Sequence, residues 1–140
     1  MTIQEIEQQI IDEFAQFDEW LDKYAYIIEL GHECPPIDEK EKVESNLISG
    51  CQSRVWLSCH HDGGRLYFHA DSDAVITKGI ITLLIRVFDG QTPADILQAD
   101  LSFIDQIGLK EHLSPTRSNG LTSMVKQMKL YALAYASKQG

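Results

Sequence analysis

Cysteine is scarce and its count is odd. Cys34, Cys51 and Cys59 are the only three, at spacings of 17 and eight residues. No C-x-x-C pair occurs, so neither a disulfide framework nor a zinc ribbon is expected. Basic residues are also few: 12 Lys and Arg face 21 Asp and Glu, for a net charge of −9 and a pI near 4.9. Such a surface repels phosphate backbones and anionic headgroups, which excludes nucleic acid and membrane as first-choice partners. Long apolar runs are missing as well. The longest, from Gly79 to Ile85, is broken by Thr82 and followed by Arg86, far short of the roughly 20 residues that cross a bilayer. Thr2 to Gln9 is polar and acidic, so no secretory leader is expected and the cytoplasm, where thiols stay reduced, is the expected location.

What is present is an ordinary globular balance. Of 140 residues, 44% are hydrophobic and 24% charged. One domain spanning 1–140 is expected, with a core that needs no covalent staple. The charge is unevenly placed: residues 1–50 hold three Lys or Arg and 13 Asp or Glu, whereas 51–140 hold nine and eight. An acidic face on the first helices explains this, and leaves the second half free to carry a neutral or basic docking surface.

Periodicity predicts the elements. Thr2 and Glu5 match a capping box, and Ile3, Ile6, Ile10, Phe14 and Phe17 form one apolar stripe. Asp18 is placed to cap a second helix with Trp20, Tyr24, Ile27, Ile28 and Leu30, ended by Gly31 at positive φ. Residues 32–50, with Pro35-Pro36, read as a long loop, with one helical turn possible in its acidic part. Two strands follow, Arg54–Cys59 and Arg65–Ala70, joined by a turn over His60 to Gly64. Asp71-Ser72-Asp73 offers N-caps for a helix from Ala74 to Phe88 that is apolar nearly all round and therefore central. Gly79 inside it costs about 1 kcal/mol against Ala unless another backbone packs there. Thr92-Pro93 starts a further helix. Residues 100–113 read as irregular, and a last helix covers 118–138. The expected fold is α+β, a small antiparallel sheet covered by helices.

The chemistry concentrates in Ser49-Gly50-Cys51-Gln52-Ser53, at the tip of the long loop. Gly50 permits turns that other residues resist. Cys59, inside a strand pattern, reads as a small inert hydrophobe, and Cys34 as a bystander. Asp73 is either a helix N-cap or a shaper of the surface beneath the Cys51 loop. Arg117 either satisfies an internal carboxylate or meets an acidic group on a partner.

Gly50-Cys51-Gln52-Ser53 followed by Val55-Trp56 resembles the SufE family of cysteine-desulfuration proteins. Three further stretches agree in the family's order: Tyr26 to Gly31, Asp71 to Ala74 with Lys78-Gly79, and His112 to Leu121. The resemblance implies a SufE/IscU-like fold and a sulfur carrier. It implies that Cys51 accepts persulfide sulfur from a pyridoxal-phosphate-dependent cysteine desulfurase, stimulates that enzyme by clearing it, and passes the sulfur to an iron–sulfur scaffold. It also implies a transfer partner that is not itself an enzyme; the absence of metal-ligand spacing predicts no metal or cofactor of its own. Gly50, Gln52, Ser53, Asp73 and Arg117 are the matching loop, pocket or partner-binding positions.

Thiolate is the attacking species in such exchange, and a free thiol with a pKa near 8.5 is only about 3% ionised at pH 7. The neighbourhood of Cys51 offers Arg54 and no adjacent histidine. A resting thiol sheltered against Leu47, Ile48 and Trp56, exposed when the loop swings out in the partner's cleft, is therefore expected. Two other readings remain. One is a hydrolase with Cys51 as nucleophile, His69 as base and Asp73 as orienter. The other is a metal-bound cluster scaffold in which Cys51, Cys59, His69 and Asp73 converge, although no spacing motif supports it.

Overall fold

Thr2 and Glu5 close the expected capping box, each side chain accepting from the other's backbone N–H, and start α1 (Ile3–Phe14). The structure is a computed structural model that describes residues 1–139. After α1 come α2 (Trp20–Gly31), two single 3₁₀ turns at Glu39–Glu41 and Glu44–Asn46, and the strands β1 (Val55–Asp62) and β2 (Arg65–Ser72). Then follow α3 (Val75–Phe88), α4 (Pro93–Gln98), α5 (Phe103–Gln106), α6 (Leu109–His112) and α7 (Pro115–Gln139). The α+β expectation holds.

The apolar sequence of α3 places it at the centre, where it touches α1, α2, β2 and α7. Eleven of its residues are buried, from Ile76 to Phe88. Its crossing with α2 is unusually close. A Cβ on Gly79 would lie 2.1 Å from the carbonyl oxygen of Ile27, and one on Gly31 would lie 3.1 Å from the Gly79 nitrogen. Gly79 therefore does sit under another backbone. Gly31 is different from expectation: it is the last residue of α2, its φ is not positive, and its role is this close approach.

The hairpin is tighter than predicted. His60, His61 and Asp62 belong to β1, and the turn is Gly63-Gly64, both at positive φ, as a two-residue turn that follows strand twist requires. Val55, Leu57, Leu66, Phe68 and Ala70 face the core. A two-stranded sheet is marginal alone, and here its edges are covered by neighbouring chain. The N–H groups of Leu66 and Ala70 donate to the Gln91 and Pro35 carbonyls at 2.9 and 3.0 Å. Phe68 donates to the Asp89 carboxylate at 2.8 Å, and the Tyr131 hydroxyl to the Leu57 carbonyl at 3.2 Å.

Several boundaries move. Asp18 does not cap α2; Glu19 stands at that position, without a side-chain bond. Ala74 precedes α3, so Asp73 is not its N-cap. Residues 100–113 contain α5 and α6, with Leu101 in the left-handed region at φ 56°. The last helix starts at Pro115, because the Ser114 hydroxyl accepts from the Arg117 N–H and proline suits the first turn.

One partly buried ion pair ties α1 to α3. Arg86 donates to both Glu13 oxygens at 2.7 and 2.5 Å, and the Tyr26 hydroxyl donates to the same carboxylate. Arg86 holds the Glu13 carboxyl below its usual range. A depressed carboxylate pKa stabilises the fold above the unfolded pKa, and that stabilisation disappears as pH falls through the folded one. Glu13→Gln should therefore cost about 1–3 kcal/mol at pH 7, with the difference from the parent vanishing in acid denaturation below about pH 4. Gly79→Ala should gain about 1 kcal/mol of helix propensity yet lose more than that to the clash with Ile27. A urea titration showing a net stabilised Gly79→Ala would contradict the close crossing.

Candidate functional site

The Cys51 loop is closed at its base by backbone. Ile48 donates to the Val55 carbonyl at 2.9 Å, and Leu47 bridges Trp56. Ile48 is buried and fixes this end to the core. Across the loop, the Arg54 N–H donates to the Asp73 carboxylate at 3.1 Å, and the Asp73 N–H returns a bond to the Arg54 carbonyl at 3.3 Å. Asp73 thus uses its carboxylate to tie down the loop's exit and not to start α3.

Between these ties the chain turns at Gly50, at φ 89°. A side chain there would be strained by φ, and its Cβ would lie 2.5 Å from the Ser123 hydroxyl. The turn directs the Cys51 side chain inward. The thiol is half-buried and donates to the Gly120 carbonyl of α7, with Sγ···O 3.7 Å. Gly120 has no Cβ, which lets the sulfur approach the helix backbone; an added Cβ would touch Sγ at 3.5 Å.

Beside the thiol is a cavity of about 60 Å³, lined by Cys51, Gln52 and Ser53 of the loop, Thr77 and Ile80 of α3, and Thr116, Arg117, Gly120 and Met124 of α7. That is room for an added sulfur atom, and much less than the roughly 300 Å³ of an organic-ligand pocket. The expected walls were wrong. Leu47, Ile48 and Trp56 do not line it, because the thiol points toward the helices and away from the first strand. Arg117 stands in the first turn of α7 at the mouth, exposed, and pairs with no carboxylate among the described residues.

Burial pushes the Cys51 thiol pKa up, and no charged group acts against that. No histidine or carboxylate lines the cavity. The hydrolase arrangement is therefore not formed: His69 stacks on His60 on the sheet, at 5.3 Å between ring centroids, and Asp73 is engaged with the Arg54 backbone. The scaffold arrangement is not formed either, since no three His, Cys, Asp or Glu side chains among the described residues could hold a metal ion. The other thiols are quieter still. Cys34 is buried against the Ala70 carbonyl, at 3.5 Å, and burial raises its pKa. Burial and the nearby Asp89 push Cys59 up to about 12.

Of the predicted site residues, the fold brings Cys51, Gln52, Ser53 and Arg117 around one cavity, with Gly50 turning the loop above it and Asp73 anchoring its exit. Thr77, Ile80, Thr116, Gly120 and Met124 were not anticipated. Gly120 carried a readable signal: a glycine inside a helical pattern costs stability unless something approaches its backbone.

Two antiparallel strands packed on helices, with one loop thiol sheltered against the last helix, define a small thiol-bearing α+β domain. The SufE family profile, described as an Fe-S metabolism associated domain, matches residues 8–132. An uncharacterized SufE-like protein of Rhizobium meliloti (strain 1021) is 42% identical over 126 residues, covering 86% of this chain and 90% of the relative. Another from Rhizobium etli is 40% identical over 126 residues, covering 86% and 85%. A solution structure of a hypothetical protein from Thermus thermophilus superposes with a TM-score of 0.78 at 20% identity, over 94% of this chain and 96% of that one. The chain belongs to the SufE family and has its fold. No helix among the described residues is long and apolar enough to cross a membrane.

A raised pKa leaves Cys51 less ionised at neutral pH than a free thiol, so its alkylation should be slower. Its rate–pH profile with iodoacetamide should have a midpoint above the usual value of about 8.5. Unfolding in urea should restore the ordinary midpoint. A Cys51 that alkylates in the native protein as fast as free cysteine at pH 7 would contradict the sheltered geometry.

Proposed function

We propose that this chain, as one domain, is a sulfur acceptor and carrier for iron–sulfur cluster assembly. The donor is a pyridoxal-phosphate-dependent cysteine desulfurase holding a persulfide on its own cysteine. The Cys51 thiolate attacks the terminal sulfur. A new S–S bond forms on Cys51, the donor's S–S bond breaks, and the donor cysteine leaves as thiolate, so the exchange involves no net oxidation. Clearing the donor frees it for another turnover, which makes this protein an activator and not an enzyme in its own right. The sulfur then passes to a cluster scaffold. Cytoplasmic reaction conditions keep the three thiols reduced.

The observation that carries this reading is a neutral, half-buried loop thiol with no base beside it. A thiol of that kind is shielded from oxidation and needs a second protein to ionise it. Gly50 provides the turn about which the loop everts. Asp73 holds the loop's exit, so the movement is confined to Ser49 to Ser53. Gln52 and Ser53 flank the thiol and travel with it. Arg117, exposed at the mouth and without a carboxylate partner among the described residues, meets an acidic group of the desulfurase.

Incubation with desulfurase and free cysteine should add one sulfur, about 32 Da, to Cys51. Cys51→Ser should abolish the gain in mass and the stimulation of the desulfurase while leaving the fold intact. Cys34→Ser and Cys59→Ala should retain both. Full acceptance and stimulation by the Cys51 variant would overturn the assignment.

A further inference from the structure

One polar group in the Cys51 cavity is unused by the resting thiol. Thr77 stands in the first turn of α3, lines the cavity and is 7% exposed. A helical threonine can donate its hydroxyl proton to the carbonyl four residues back. Thr82 and Thr122 do so, to Lys78 and Ser118 at 2.6 and 3.2 Å. For Thr77 that carbonyl belongs to Asp73, which precedes the helix, and the bond is not made. The Thr77 hydroxyl has no hydrogen-bond partner among the described residues. The Cys51 thiol does not supply one, since it donates to the Gly120 carbonyl. No unbonded side-chain oxygen among the described residues is sealed in, so this hydroxyl opens onto free space, and the space beside it is the cavity.

The same corner favours negative charge. No side chain caps α3, and the first bond into it runs from the Lys78 N–H to the Ala74 carbonyl at 2.9 Å. The first-turn N–H groups therefore keep their positive potential. Arg117 at the mouth is the one charged residue of the lining. Asp73, just before the helix, lies outside that lining and is tied to the Arg54 N–H. We propose that Thr77 holds the outer sulfur of the loaded protein: its hydroxyl donates to the terminal sulfur of the Cys51 persulfide and keeps that sulfur in the cavity as an anion. The inference rests on the carrier reading above. A persulfide is a stronger acid than its parent thiol, so a group that is neutral at rest becomes an anion once loaded. The added atom lies about 2 Å beyond Sγ, a reach that the cavity of about 60 Å³ accommodates. Burying that anion without a donor is costly. A hydroxyl already desolvated and without a partner supplies one. Thr77 takes no part in the exchange of S–S bonds; it fixes where the sulfur waits and how firmly.

The test compares the parent with Thr77→Val and Thr77→Ser, each loaded by desulfurase and cysteine and then separated from the enzyme. The pH midpoint of persulfide ionisation is read from its near-ultraviolet absorbance. The rate at which dithiothreitol strips the sulfur is read from the loss of about 32 Da. Without one hydrogen bond to a charged group, Thr77→Val should show a midpoint about one pH unit higher. At a pH above both midpoints its protonated, electrophilic fraction is then about tenfold larger, and stripping should be about tenfold faster. Thr77→Ser should keep the parental values. The resting Thr77→Val protein should be no less stable in urea, because it loses only an unpaired buried hydroxyl, and its Cys51 should alkylate at the parental rate; a merely structural role would move both. A parental midpoint and stripping rate in loaded Thr77→Val would overturn the role of Thr77 and leave the carrier reading standing, whereas a parent that takes no sulfur would overturn both. Should Thr77→Val fail to fold, Thr77→Ala carries the same comparison.

Discussion

The close passage of α2 over α3 at Gly79 governs the rest of the molecule. With the Ile27 carbonyl lying where a Cβ would be, the two helices come near enough for α3 to be buried along most of its length. A central helix held on one side presents its other sides at a set height to the hairpin and to α7. Thr77 and Ile80, three residues apart and so on one side of that helix, are then delivered to the cavity beside Cys51. The ion pair from Glu13 to Arg86 secures the opposite end of α3. The wall of the cavity is thus positioned by packing in the interior, not by contacts at the surface.

The thiol itself is held by small, neutral devices. A positive-φ glycine turns it inward, a helical glycine leaves room for it, and a backbone carbonyl accepts its hydrogen bond. None of these raises its reactivity. The contrast with Cys59 and Cys34 is one of place: Cys59 lies within β1 and Cys34 is buried against the Ala70 carbonyl, whereas Cys51 lines a cavity. All three are shifted upward by burial, but only Cys51 sits on a loop whose few anchoring bonds lie at its base.

Much of the fold is legible because its signals are local. The Thr2–Glu5 capping box, the Thr92-Pro93 start, the uniform apolarity of α3 and the cost of Gly79 each have a physical reading within a few residues. The hairpin is readable too, but the place of its turn is not, since His60 and His61 resemble loop residues in polarity while the strand pairs them regardless. Asp73 resembles a cap for the same reason: the residue type suits both roles, and only the position of the Arg54 N–H decides. The cavity walls are the least legible part. Cys51 stands out from its loop, whereas Gly120 and Met124 reach it from a helix far along the chain, and no local pattern encodes which way a loop side chain turns.

That distance in sequence has a consequence for how the protein is made. The cover over Cys51 is built from α7, so about seventy residues must follow the cysteine through the ribosome before Met124 exists. At about 5–20 residues per second, the thiol spends roughly 4–14 s without its lid. During that interval it is an ordinary exposed thiol, open to oxidants and adventitious metal that the finished molecule keeps away. Per unit time, this cysteine is therefore more open to oxidation on a nascent chain than in the finished molecule.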